Sequence, residues 1–595
     1  MTYKAPVDEI MHTLKSVVGI ENLIDSGVYE GLDVETIQAI IEEAGRFASE
    51  VLEPLNRHGD TAGAQLADGQ VTTPQGWKEA YRQFREGGWN ALPGPEAYGG
   101  QGLPEVVSVA VTEGWNAANM AFSLCPLLTQ GAIASILSHG SEELKALYLP
   151  KIVSGEWSGT MNLTETHAGS DLGHIKTRAE RLDDGTYKIF GTKIYITYGD
   201  HDLSENIVHL VLARCDDAPE GTRGISLFLV PKYLVNADTS IGARNDVVTA
   251  GLEHKLGIHA SPTCTLKYGE NGGATGYLVG EENRGLNIMF LMMNAARLSV
   301  GIQGVGIADR ATQQAIAYAH DRPQGRGPDA APGTMSPIIT HADIRRTIMT
   351  MKSLTQASRA ICLVTAREID LMHRDKTSEV RERSAAISAL LTPVAKAFST
   401  DIAVEVASMG VQVHGGMGFV EETGAAQHYR DARILPIYEG TNGIQAIDLI
   451  TRKVPLGNGE IVRTYINELR AIAEEIHASN RAEFGLMAQR LDEALSAFSD
   501  TSNYMIKQLE MNQQAALAGA NQYLRLFGLT AGGAYLAKSA LAAVRGNADM
   551  PGPAEPVVTA RFFAEQLLPA AVSHGQAVLT GADVMDAVTP ELLSA

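Results

Sequence analysis

The chain has 595 residues, 45% of them hydrophobic, and a formal net charge of −21 at pH 7 from 69 Asp and Glu against 48 Lys and Arg. That length exceeds what one hydrophobic core usually supports, so two to four domains are expected. The acidic balance argues against a general affinity for DNA or anionic lipid, because nonspecific nucleic-acid binding depends on Lys and Arg displacing counterions. Cys125, Cys215, Cys264 and Cys362 stand far apart without a C-x-x-C pair, which indicates neither a zinc knuckle nor a disulfide framework and fits a reducing cytoplasm. No clustered His or Cys suggests a metal. The N-terminus MTYKAPVDEIMHTLKSVVG lacks the apolar core and cleavage site of a signal peptide. No uninterrupted apolar run reaches the ~18 residues of a membrane span, so a soluble, cytoplasmic chain is expected.

From Val34, VETIQAIIEEAGRFASEVLEPLNR repeats apolar residues at three and four, which predicts an amphipathic helix that stops near Pro54. LPGPEAYGGQGLP is too dense in breakers for a helix or a central strand. Helices resume at VVSVAVTEGWNAANMAF and run toward Leu149. Near residue 158 the period changes. YKIFGTKIYITYG, NIVHLVLARC, GISLFLVPKYLV and CTLKYG are short, rich in Val, Ile, Tyr and Thr, and separated by polar turns, which predicts an antiparallel β domain of barrel or sandwich type. From about Gly285 the helical period returns, interrupted by the loop DRPQGRGPDAAPGTMSP. RKVPLGNGE, residues 452 to 460, reads as a domain boundary. Beyond it the chain is alanine-rich and helical, broken at NADMPGPAEP.

Residues 436 to 445 read PIYEGTNGIQ, with Glu439 the only charge. A carboxylate taken partly out of water is suited to act as a base near neutral pH. The alternative is an acid in the first turn of the following helix, favoured by the macrodipole by about 0.3–1 kcal/mol. In MNLTETHAGSDLGHIKTRAE, Thr164, Thr166 and Ser170 crowd one glycine-containing loop that can hydrogen-bond a polar ring edge or a phosphate, or is a plain polar turn. GGMGF at 415 to 419 offers bare backbone to a ligand, or merely breaks a helix. Arg322 can neutralise a phosphate or be an ordinary surface arginine. GVGIAD at 304 to 309 follows no strand, so Gly304 and Gly306 read as helix-packing positions and a nicotinamide-binding Rossmann domain is not supported.

YGGQG, MNLTETHAGSD, GTKIYITYGD, NAARLSVG, HDRPQGR, QVHGGMGF and YEGTNGIQ occur in that order from about residue 35 to 452, and together they resemble the acyl-CoA dehydrogenase family. The resemblance implies an α+β multidomain fold with an N-terminal α-helical domain, a middle antiparallel β-barrel domain, a C-terminal four-helix-bundle domain and an additional C-terminal helical domain. The expected boundaries are an extension over 1–34, then 35–157, 158–284, 285–453 and 460–595. It further implies FAD between the β domain and the bundle. Met161, Leu163, Thr164, Gly169 and Ser170 would line the flavin, followed by Tyr195, Ile196 and Thr197, where Tyr195 replaces the tryptophan usual in the family. Arg322 would reach the FAD pyrophosphate from a neighbouring subunit. Gln412, Gly415 and Gly416 would hold the adenosine end, and Thr441 and Gly443 would complete the flavin site. Ser170, Asn294, Arg297 and Gly440 would contact the substrate. Glu439 matches the family's catalytic base, which removes the α-proton of an acyl thioester while the β-hydrogen leaves as hydride to the flavin. Some members place the base on the helix before the arginine-containing turn, but here that position is Ala296.

The added N-terminal stretch and about 135 C-terminal residues resemble a large bacterial subgroup of that family. That subgroup implies oxidation of 3-(methylthio)propanoyl-CoA in dimethylsulfoniopropionate degradation, or alternatively of straight-chain fatty acyl-CoA. It also implies electron-transferring flavoprotein as acceptor, although an oxidase passing electrons to oxygen uses the same first steps. A homodimer is expected because the added helices would cover a surface that smaller members use for tetramer contacts. A flavin-containing DNA-protection protein on the same scaffold is disfavoured by the acidic or mixed appendage, INELRAIAEEIHASNRAEFG and LDEALSAFSD.

Overall fold

The computed structural model describes residues 3–546 and 554–594, so most of the NADMPGPAEP break lies outside the described residues. The first helices are α1 (Val7–Thr13), α2 (Ile20–Asp25), α3 (Val34–Phe47), α4 (Glu53–Ala62), α5 (Trp77–Glu86), α6 (Glu105–His139) and α7 (Glu142–Val153), with a small hairpin of β1 (Gln65–Ala67) and β2 (Gln70–Thr72) after α4. The helical path expected to stop near Pro54 instead continues through a π turn to Ala62. Pro54 sits in the first turn of α4, where its missing N–H is tolerated. α6 is two helices joined at Asn119, whose backbone leaves the helical region. The Asn119 carboxamide restarts the helix, accepting from the Phe122 N–H at 3.1 Å and donating to the Leu52 carbonyl at 3.2 Å.

The strands that follow are β3 (Trp157–Asn162), β4 (Arg178–Arg181), β5 (Tyr187–Thr197), β6 (Asn206–Cys215), β7 (Ser226–Pro231), β8 (Tyr233–Val235), β9 (Ile241–Arg244), β10 (Val247–Leu252), β11 (Thr263–Tyr268) and β12 (Ala274–Leu278). Pairing runs β5 to β12 to β7 to β6, and β4 pairs both β5 and β6, which closes the circuit into a barrel. Most pairs are antiparallel; β3 and β4 run parallel to β6. The barrel interior is apolar over Ile189, Val211, Phe228, Val230 and Leu266 but also holds a polar chain. Lys232 reaches Asp200 at 2.6 Å, Ser158 meets His201 at 2.9 Å, and Thr160 meets His209 at 2.8 Å.

The chain ends in α8 (Gly285–Asp321), α9 (Ala342–Arg374), α10 (Ser378–His414), α11 (Ala425–Ala432), α12 (Asn442–Asp448), α13 (Glu460–Ser479), α14 (Met487–Met511), α15 (Gln513–Gly546), α16 (Glu555–Phe562), α17 (Pro569–Thr580) and two short terminal helices. Gly304 and Gly306 do pack helices: a Cβ on Gly304 would lie 2.6 Å from the Ser399 carbonyl of α10, and one on Gly306 2.8 Å from the Ala117 amide of α6.

Two compact units result. One comprises Met1–Gly45, Glu105–Ala117 and Val300–Ala595; the other comprises Arg46–Pro104 and Ala118–Ser299. In the first, the N-terminal extension is tied down where the Gln313 carboxamide donates to the Lys4 carbonyl at 2.8 Å and accepts from its N–H at 3.2 Å. α15 of the added helices packs on the bundle, with Gly528 against Phe398 and Gly532 against Ala357. In the same unit Arg359 is buried between Glu113 at 2.7 Å and Asp309 at 3.5 Å. Among the described residues three helices, α6, α8 and the α10 segment, are by length and composition able to cross a membrane, but 83% of the α6 and α10 windows is buried within the fold.

Candidate active site

The segment before α12 is where the lone carboxylate falls. α12 begins at Asn442, and Thr441 is its N-cap, the hydroxyl accepting from the Ile444 N–H at 3.2 Å. Glu439 therefore precedes the helix and is not a first-turn acid. It adopts φ 55°, and Gly440 follows at φ 84°. A left-handed conformation costs a residue with a Cβ about 1–2 kcal/mol, so the surroundings must hold it there.

They do so from several sides. The Asn442 N–H closes the turn on the Pro436 carbonyl at 3.0 Å. The buried Gln445 carboxamide brackets the Glu439 and Gly440 carbonyls at 3.3 and 3.4 Å. Lys396 on α10, fully buried, donates to the Gly440 carbonyl at 2.9 Å and to Asn442 Oδ1 at 2.8 Å. Asn442 Nδ2 in turn donates to Asp401 at 2.7 Å. Burial raises the Asp401 pKa despite that hydrogen bond. The Tyr438 hydroxyl donates to Gln303 Oε1 at 2.5 Å, and burial, followed by the adjacent Glu439 charge, pushes its pKa well above the ordinary value. It remains a neutral donor. Gly443 lies in the first turn of α12, with the Thr441 hydroxyl 3.8 Å from where its Cβ would be.

The expected flavin loop belongs to the other unit. Met161 lies next to the end of β3 and is buried; Leu163 and Thr164 are half-buried; Thr166, Gly169 and Ser170 are exposed. The loop is pinned through Glu165. Its carboxylate accepts from the Lys176 and Thr177 N–H groups, the Thr177 hydroxyl and the fully buried Lys193 ammonium at 2.9 Å. Lys193 also donates to the Leu163 carbonyl at 2.8 Å. Burial would raise the Glu165 pKa, but the Lys193 charge and these donors hold it below the usual carboxylate range. Burial brings Lys193 down to about 8, so the pair is ionised at neutral pH.

On β5 the register against β11 slips between Ile196 and Lys193, leaving one extra residue. Tyr195 occupies that bulge with φ 60° and is 60% exposed, while Ile196 points into the core and Thr197 is half-buried. On α8, Arg297 is buried and donates to Asn294 at 3.1 Å, which brings together two of the expected substrate residues; Ala296 is buried and offers no carboxylate.

Arg322, Gln412, Gly415 and Gly416 are exposed, and a Cβ on either glycine would meet nothing within 4 Å. Their bare backbone is open to a ligand. Within the chain they are not gathered at Glu439: Gln412 lies four turns beyond Lys396 on α10, about 24 Å at 1.5 Å per residue. Lys396, Asn442, Gln445, Lys193 and Glu165 were not anticipated as parts of these sites. The available signal was a lysine inside otherwise apolar helical or strand runs, PVAKAF and GTKIYI.

Models of the acyl-CoA dehydrogenase N-terminal, middle and C-terminal domains match residues 34–156, 160–270 and 283–454, and an acetyl-CoA dehydrogenase C-terminal-like model matches 465–588. The chain belongs to the acyl-CoA dehydrogenase family and is an acyl-CoA-oxidising oxidoreductase. It is 47% identical over 592 residues to 3-methylmercaptopropionyl-CoA dehydrogenase of Ruegeria pomeroyi, covering 99% of this chain and 100% of that one. The fold is similar to that of Caenorhabditis elegans ACDH-11 in complex with C11-CoA, with TM-score 0.78, 20% identity and coverage of 95% and 92% of the two chains. It is also similar to an acyl-CoA dehydrogenase from Bacillus anthracis complexed with FAD, with TM-score 0.74, 23% identity and coverage of 93% and 89%.

Proposed function

We propose that this chain is an FAD-dependent dehydrogenase that converts 3-(methylthio)propanoyl-CoA to 3-(methylthio)acryloyl-CoA in dimethylsulfoniopropionate degradation, with Glu439 as the base. The observation that carries the chemistry is the carboxylate held ahead of α12 in a left-handed turn that buried side chains immobilise. The full-length identity to the Ruegeria enzyme supports the thioether substrate.

In one unit the open backbone at Gly415 and Gly416, with Thr441 and Gly443, and in the other the polar loop Leu163–Ser170, with Tyr195 to Thr197, each offer groups suited to a flavin dinucleotide. Bound FAD supplies the acceptor for the β-hydride. Glu439 takes the α-proton, and its backbone N–H polarises the thioester carbonyl, because an unaided carboxylate is too weak a base for that proton. Asn294, Arg297 and Ser170 in one unit, and Gly440 in the other, are the candidates for contact with the acyl-CoA.

The distance between the Glu439 turn and Gln412 favours a dimer in which Arg322, Gln412, Gly415 and Gly416 serve the flavin of the neighbouring copy. Phe419, 88% exposed beside those glycines, favours a covered face there. Electrons then pass to an electron-transferring flavoprotein in the cytoplasm. The chain's negative charge supports an enzyme without nucleic-acid or membrane partners.

Glu439→Gln tests the base. FAD and acyl-CoA binding should persist, while stopped-flow reduction of the flavin by substrate falls by ~10²–10⁴-fold or more. Reduction at the parent rate with FAD bound would remove the base from this account. A straight-chain substrate is the second reading, favoured by the C11-CoA held by the nematode relative. One methylene is worth only about 1–3 kcal/mol in an apolar pocket, so medium-chain turnover should accompany thioether turnover. Anaerobic flavin bleaching across an acyl-CoA panel ranks the two; a higher kcat/KM for butyryl-CoA or octanoyl-CoA would replace the thioether assignment.

A further inference from the structure

We propose that Lys396 is a positioning residue for the Glu439 carboxylate: from the interior of α10 its ammonium clamps the left-handed Glu439–Gly440 turn in the conformation that presents the base. This deepens the proposed function and rests on Glu439 being the base.

Lys396 is fully buried, and its helical neighbours Val394, Ala395, Ala397 and Phe398 are buried apolar residues. An interior site of that kind is most stably filled by a hydrophobic side chain, because a buried cation loses its hydration unless partners replace it. The ammonium contacts the Gly440 carbonyl at 2.9 Å and Asn442 Oδ1 at 2.8 Å, so it bridges two residues of the four-residue segment Glu439–Asn442. That segment holds two successive left-handed residues, of which Glu439 carries a Cβ. Without a clamp, relaxation of the Glu439 φ toward negative values would swing the carboxylate away from its present direction. The longer Gln445 contacts, at 3.3 and 3.4 Å, hold the Glu439 and Gly440 carbonyls less tightly. Asn442 relays the clamp to α10 a second time, its carboxamide donating to Asp401 at 2.7 Å and to the Ala397 carbonyl at 3.1 Å.

The test uses full-length, FAD-loaded Lys396→Met, which approximates the unbranched apolar stem of the side chain and removes the ammonium. Amide exchange by mass spectrometry over 436–445 should accelerate while exchange in the rest of α10 stays at the parent level. Flavin reduction by acyl-CoA should fall about 10²-fold, the cost of a misplaced reacting group. In the Glu439→Gln background the same substitution should change the residual rate by no more than about twofold, since a base that is absent cannot be misplaced. Asn442→Ala, which removes one anchor without altering α10, is the second variant and should show the same pattern if Lys396→Met fails to fold. Parent-like exchange over 436–445 together with parent-like reduction would overturn the proposal. So would a full loss in the Glu439→Gln background, which marks a general structural role. If instead Glu439→Gln itself reduces flavin at the parent rate, the base assignment fails; a slow Glu439→Gln with a fast Lys396→Met removes Lys396 alone.

Discussion

Lys193 and Glu165 show how a single buried ion pair anchors a loop. Both side chains are buried, and between them they engage the Leu163 carbonyl, two backbone N–H groups and the Thr177 hydroxyl. The loop from Leu163 to Ser170 is thereby fixed at its base while its tip stays open. Lys193→Met leaves Glu165 buried without its cation, which typically costs 3–5 kcal/mol. Urea unfolding should show a loss of about that size, and the purified variant should release FAD on dilution where the parent retains it. Lys193→Met with Glu165→Gln should recover part of the stability, because the carboxamide oxygen still accepts while the uncompensated charge is gone. Two residues along the strand, Tyr195 illustrates the opposite limit: alternation alone would place it on the side of Lys193, yet the bulge turns it outward.

Among the elements, α8 and α10 meet where glycine permits close backbone approach. A methyl on Gly304 would lie 2.6 Å from the Ser399 carbonyl, a backbone atom in the middle of a helix that cannot move aside alone. Gly304→Ala should therefore destabilise by about 1–3 kcal/mol despite alanine's better helix propensity, read as a lower denaturation midpoint with an unchanged m-value. An exposed helix position would respond in the other direction. The same packing explains why GVGIAD resembles a phosphate loop in composition and is not one: its glycines sit in mid-helix against neighbouring backbone. At the kink in α6, Asn119 does what sequence periodicity hides, ending one helix and capping the next within a continuous helical pattern.

At the scale of the whole molecule, the two compact units should respond to mild acid with opposite signs. In the barrel unit, burial lowers His201 to about 4 and His209 to about 3, with Asp200 and Lys232 as the nearest charges. Folded, these imidazoles stay neutral; unfolded, they bind a proton below about 6.5. Their stabilisation is therefore complete above pH 6.5 and is lost as pH falls toward the folded pKa values, about 1.4 kcal/mol for each at pH 5.5. In the other unit, burial raises Asp309 to about 7 against the pull of Arg359. That group binds its proton more readily folded than unfolded, so its contribution improves as pH falls from 7. Hydrogen exchange at pH 7.5 and 5.5, corrected for intrinsic rates, should show lost protection in β3 to β12 with α8 and α9 near Asp309 unchanged or better protected. Substituting His209 with Gln should remove part of the barrel's acid sensitivity; equal loss in both units would contradict this assignment.

The order of helices, barrel, helices and added helices was legible in the chain because apolar period, breaker residues and strand composition are local signals. Glu439, Thr164, Ser170, Gly415 and Gly416 were singled out because each stands in a short stretch whose composition is unusual in itself. What those stretches could not contain was decided by tertiary structure. Glu439 lies outside α12, because Thr441 takes the cap and a lysine 43 positions earlier holds the turn. Pro54 continues a helical path because it falls in a first turn, and Tyr195 faces outward because β5 carries one more residue than β11 can pair. For Glu439 and Tyr195 the deciding partner is distant in sequence or sits on a neighbouring strand, so a local pattern specifies the element, and the energy of long-range burial and hydrogen bonding specifies which side chain is held, and in which direction.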